Sequence, residues 1–131
     1  MLCQRILKGQ SAAVGALVFG VDREEARMAE TAQRIAEAGG RFAGGTCDVT
    51  SSDSVAAVVA RCVAEYGRID ILVNNVGGSA KGGPVEMTEE VWDAQVDHNL
   101  KSVFLTCKHV LPHMLAQGGG AIVNLSSTSG M

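Results

Sequence analysis

Apolar and polar positions along this chain change period several times, and each change marks a new element. Ala16 to Val21 is an unbroken apolar run between Gly15 and Asp22, which predicts a short strand buried on both faces. From Glu24 to Ala38 the period becomes helical, with Met28, Ala32 and Ile35 on one stripe, acids in the first turn and Gly39-Gly40 as the stop. Arg41 to Cys47 reads as a second, glycine-diluted strand. Thr50 with Asp53 predicts a capping box for a helix whose apolar face is Val55, Val58, Val59, Cys62, Val63 and Tyr66, closed by Gly67.

Ile69 to Val73 is the clearest strand, followed by a loop from Asn74 to Gly83. Thr88 or a neighbour then caps a long helical stretch whose face carries Val96, Leu100, Val103, Phe104, Cys107, Val110, Leu111 and Met114, with Pro112 near its end or at a kink. Gly118-Gly119-Gly120 ends it, and Ala121 to Leu125 is the last strand. At the other end, Leu2, Ile6 and the stem of Lys8 are spaced as the last turns of a helix stopped by Gly9.

Strands alternating with helices at this spacing predict an α/β domain, a doubly wound parallel sheet of about four strands joined by right-handed crossovers. Ligands of such sheets bind beyond the strand C-termini. Asp22, Asp48-Val49, Asn74 to Gly77 and Ser127 all fall there and are expected along one rim.

Composition narrows the class. The chain has 131 residues, 47% apolar and 19% charged, which suits one globular domain spanning 1–131. A net charge of −3 with scattered Lys and Arg gives no basic stripe, so nucleic acid is not expected as a partner. Cys3, Cys47, Cys62 and Cys107 form no C-x-x-C pair, so no metal site is expected; they read as reduced thiols of a cytoplasmic protein. Arg5 and Lys8 before the apolar run loosely suggest a leader, but no small-residue cleavage site follows and the run is too short to span a bilayer. No membrane association is expected.

The ordered series Asp22, Asp48-Val49, Asn74-Asn75-Val76-Gly77, Asn99 and Ser126-Ser127 resembles the short-chain dehydrogenase/reductase family, over nearly the whole chain. The resemblance implies an incomplete Rossmann-like domain of an oxidoreductase that moves hydride between a nicotinamide cofactor and a secondary alcohol or ketone. An acid at the end of the second family strand accepts bonds from both ribose hydroxyls and repels a 2′-phosphate, so Asp22 favours NAD over NADP, with Arg23 beside it able to accept a phosphate. By the same resemblance Asp48 and Val49 contact the adenine, and Asn75 and Gly77 approach its ribose, Val76 standing where the family usually has Ala. Asn99 would open its helix to a water of the proton relay, and Ser127 would bond the substrate carbonyl.

The family's general acid, the Tyr of a Tyr-x-x-x-Lys pair, is expected past Met131, and Tyr66 cannot replace it. Its opening Thr-Gly-x-x-x-Gly-x-Gly turn has no counterpart in this sequence. In the family's strand order the strand before that turn lies at the sheet centre, so here either the Ala16 strand pairs directly with the Ile69 strand or two edges stand open. The long helix over 88–117 is the expected homo-oligomer surface. The alternatives are a catalytically inactive binding or oligomerisation module, a sequence cut short from that of a longer gene, and a flavodoxin-like domain whose phosphate loop is not found.

Overall fold

A computed structural model describes the backbone of residues 2–6 and 16–126 and the side chains of residues 17–126. Its elements in chain order are β1 (Leu2–Ile6), β2 (Ala16–Asp22), α1 (Glu25–Glu37), β3 (Arg41–Thr46), α2 (Ser52–Tyr66), β4 (Ile71–Asn74), α3 (Glu89–Val96), a π-turn (Asp97–Lys101), α4 (Ser102–Ala116) and β5 (Ala121–Asn124). They form one five-stranded sheet in the order β3-β2-β1-β4-β5. The pairs β2–β3 and β4–β5 are parallel, as expected of crossover units.

The N-terminus departs from expectation twice. Leu2–Ile6 is a strand and not the end of a helix, and it runs antiparallel to both β2 and β4. The sheet is therefore mixed. Its centre is neither collapsed nor open, because β1 sits between the two parallel pairs. The reason is main-chain pairing: two inner strand edges carry rows of N–H and C=O groups that must find partners, whereas one or two helical turns have little stability of their own.

The core lies on the face covered by α2 and α4. Val55, Val58, Val59, Cys62 and Tyr66 of α2 are buried against Leu17, Phe19 and Val21 of β2. Phe19 and Tyr66 meet edge to face at 6.3 Å, and the Tyr66 hydroxyl donates to the Val18 carbonyl at 3.2 Å. Helix α2 begins one residue later than expected. Ser51, not Thr50, is the N-cap, accepting from Ser54 N, while Gly67 closes the helix at φ 76°. Helix α1 covers the other face beside β2 and β3 and buries no residue fully.

The expected apolar face of the long helix is only half right. Val110 and Met114 are buried and Val103 and Cys107 half-buried, but Val96, Leu100, Phe104 and Leu111 are exposed. Their places against the sheet are taken by Ser102, Leu105 and Thr106. Small side chains let α4 approach the sheet, and Thr106 satisfies its hydroxyl on Asn74 of β4 at 2.7 Å. Pro112 lies within α4 without ending it, one turn before Ala116.

Candidate functional site

A cleft of about 580 Å³ opens where β2, β3 and β4 end, lined among others by Asp22, Cys47, Val49, Asn75, Val76 and Gly77. That volume lies within the usual range of small-molecule sites, about 300–1,000 Å³. One wall is the end of β2 and the first turns of α1, contributing Gly20, Arg23, Glu24, Arg27, Met28 and Thr31. His98 and Leu125 reach it from the far side.

Asp22 is placed at the mouth by the last pairing of β2 with β3, opposite Thr46. Its Oδ1 accepts from the Glu24 N–H at 2.9 Å, an Asx-type turn that fixes the carboxylate and leads the chain into α1. The close pairing below it depends on glycine: a Cβ on Gly44 would run into the carbonyl of Gly20, and one on Gly20 would meet the Phe42 ring at 2.6 Å.

Asp48 lies beside the cleft with its carboxylate bonded back to Thr50. Its Oδ1 accepts from both the Thr50 N–H at 2.9 Å and the Thr50 hydroxyl at 2.7 Å, and these bonds hold its carboxyl below the usual range. Asp48 is exposed and is not among the lining residues, whereas its neighbours Cys47 and Val49 are buried and line the cleft. Burial pushes the Cys47 thiol up, so it stays protonated at neutral pH.

The two asparagines after β4 part company. Asn74 is buried and structural, donating from Nδ2 to Asn124 Oδ1 at 2.8 Å, while Asn75 is exposed and lines the cleft. Val76 packs against the core and also lines the cleft, so the bulkier side chain is accommodated.

Asn99 lies within the π-turn, where Ser102 N bonds back five residues to the Asp97 carbonyl. Its amide clamps the loop after β4 on both sides: Oδ1 accepts from Gly78 N at 2.9 Å and Nδ2 donates to Gly78 O at 3.0 Å and to Gln95 O at 2.9 Å. Ser127 lies outside the described residues; Ser126 and Leu125 before it reach the same sheet edge, Leu125 N donating to Asn74 O at 2.9 Å.

Two of the three histidines are engaged in the structure. His98 is half-buried and lines the cleft, and His109 Nε2 shares a 3.0 Å bond with Ser52 Oγ. Arg27, Phe42 and Cys47 are likewise cleft residues that sequence reasoning did not single out. The spacing of Arg27 one helical turn after Asp22-Arg23 was the available signal. Among the described residues no cluster of His, Cys, Asp and Glu could hold a metal, and no helix is long and apolar enough to cross a membrane.

The sequence pattern of the family described as short chain dehydrogenase matches residues 7–131. This chain belongs to that family. The 2-dehydro-3-deoxy-D-gluconate 5-dehydrogenase of Escherichia coli is 37% identical over 123 residues, covering 91% of this chain and 49% of that protein. A Burkholderia xenovorans structure provisionally assigned to the short-chain dehydrogenases superposes with a TM-score of 0.87 at 53% identity, covering 91% of this chain and 45% of the other. A variant of actinorhodin polyketide ketoreductase solved with NADPH gives 0.81 at 41% identity, covering 86% and 44%. The chain thus spans about half the length of the relatives it matches.

Proposed function

We propose that this chain is the adenosine-binding part of an NAD(P)-dependent oxidoreductase that interconverts a secondary alcohol and a ketone. The observation that carries this reading is that Asp22, Val49, Asn75, Val76 and Gly77, which come from three separate strand ends, line the same cleft. Asp22 keeps one carboxylate oxygen free of the Glu24 bond, so it can accept from a ribose hydroxyl. Buried Val49 and half-buried Val76 offer an apolar seat for a base, and Gly77 permits close approach of a sugar.

A nicotinamide dinucleotide fits the described residues in its adenosine half. When bound, it supplies or accepts the hydride. The protein's own part would be to hold the ribose on Asp22, seat the adenine between Val49 and Val76, with Asp48 at the rim, and keep the loop at Gly77 and Gly78 in place through Asn99. Ser127 would donate to the substrate carbonyl oxygen. Asp22 favours NAD, and Arg23 and Arg27 on the same wall favour NADP, so the wall has groups for either. NADPH in the actinorhodin ketoreductase supports the second equally. We place the protein in the cytoplasm, on its thiols.

A homo-oligomer through 88–117 is part of this proposal. Trp92, Leu100, Phe104 and Leu115 are 60% or more exposed along one stretch of α3, the π-turn and α4. Such a patch signals a protein interface. It equally favours a second reading, in which this chain acts as an oligomerisation module without turnover.

Titration of the chain with 5′-AMP and with NADH, followed by amide NMR shifts, tests the first reading. Shifts confined to Asp22, Val49, Asn75 and Gly77 are expected. Saturating nucleotide that leaves these amides unmoved rejects it, leaving the module reading.

A further inference from the structure

Glu24 and Arg27 face each other on the cleft wall, one helical turn apart, with Arg27 Nε 3.0 Å from Glu24 Oε2. Glu24 occupies the N-cap position of α1 yet makes no side-chain cap bond there. Its backbone N–H is spent on Asp22, and its carboxylate is spent on Arg27. The wall therefore shows two carboxylates and one engaged guanidinium. Arg23, beside Glu24 on the cleft, acts by its charge on Asp48.

The side chains of Arg27 and Glu24 are 66% and 60% exposed. An ion pair so exposed is weak and exchanges readily. A dianionic phosphate offers Arg27 a stronger, bidentate partner, while a bare ribose hydroxyl offers it almost nothing. We propose that Glu24 sets the cofactor preference of this cleft by holding Arg27 away from the 2′ position of the adenine ribose. Ligands without a 2′-phosphate leave the pair closed; ligands with one break it and take Arg27. This rests on the nucleotide reading of the cleft.

The probes are adenosine 2′,5′-bisphosphate and 5′-AMP, titrated calorimetrically into the 131-residue chain. Glu24→Gln should tighten the bisphosphate by about fivefold, the equivalent of one exposed ion pair, with 5′-AMP changed less than about twofold. Arg27→Gln should weaken the bisphosphate alone, and in the double variant the gain from Glu24→Gln should vanish. A gain that survives in the double variant, or a bisphosphate-to-AMP ratio unchanged by Glu24→Gln, overturns the proposal and leaves the nucleotide reading intact. Failure of 5′-AMP to bind overturns both. Both side chains are exposed, so the fold is expected to survive each change, and far-ultraviolet circular dichroism checks this.

Discussion

Asn74 Nδ2 donates to Asn124 Oδ1 at 2.8 Å, tying the last residue of β4 to the last residue of β5. The same amide accepts the Thr106 hydroxyl through Oδ1 at 2.7 Å, so one buried side chain joins two strand ends and α4. The neighbouring Asn75 shares none of these bonds and faces the cleft. Two adjacent identical residues thus have separate tasks, one holding the sheet edge and one presented to a ligand.

Asn74→Ala should lower stability by about 1–3 kcal/mol, the cost of leaving buried partners unsatisfied. Asn75→Ala should stay within about 0.5 kcal/mol while weakening 5′-AMP binding. Urea midpoints and calorimetric titration of the two variants separate the effects. Equal stability losses would contradict the division.

Asn99→Ala removes both bonds to Gly78, and the loop after β4 loses its clamp. Amide exchange at Gly78 should accelerate by about tenfold, corresponding to roughly 1.4 kcal/mol of local protection, while the urea midpoint moves little. Unchanged exchange would show that the loop is held by its own backbone.

Gly44→Ala should destabilise by about 1–3 kcal/mol, because the added methyl meets the Gly20 carbonyl across the β2–β3 pair. The backbone carbonyl cannot swing aside as a side chain can. Gly67→Ala meets no atom within 4 Å but must adopt φ 76°, so its cost of about 1 kcal/mol is conformational. Thermal melts of the two compare collision with backbone strain.

Asp48 titrates below the usual carboxylate range because Thr50 bonds its charged form. Its contribution to stability is therefore present above about pH 4, where the unfolded group is ionised, and is lost as pH falls through the lower folded value. The stability difference between wild type and Asp48→Asn should shrink as pH drops below about 4. Urea midpoints measured at several acidic pH values check this, and a difference independent of pH would refute it.

Phe104→Glu and Leu100→Glu should leave the fold intact and abolish self-association, since both side chains are already exposed. Sedimentation equilibrium of the wild type is expected to show a dimer or larger species. A monomeric wild type would remove the oligomer proposal.

Much of the fold was legible because buried parallel strands and amphipathic helices write their own periods. The β2 run, the α2 stripe from Val55 to Tyr66 and the Gly67 stop appear in place for that reason. The α3–α4 face was misread, since a sequence that is apolar on two sides does not say which side meets the sheet. Thr106 and Ser102 won that face through a hydrogen bond and small volume, and both are invisible to a hydrophobic pattern.

The sequence by itself determined the family, the strand and helix succession from β2 onward, and the placing of Asp22, Val49, Asn75 and Gly77 at strand ends, because these follow from local period and local turn chemistry. Only the tertiary structure decided that Leu2–Ile6 fills the centre of the sheet antiparallel, that Asp48 turns back on Thr50, and that Glu24 occupies Arg27. Each of these is a choice among partners: the two strand edges that take up β1 become neighbours only once the chain has folded, and short-range pattern leaves open whether a side chain turns to a near residue or to the cleft.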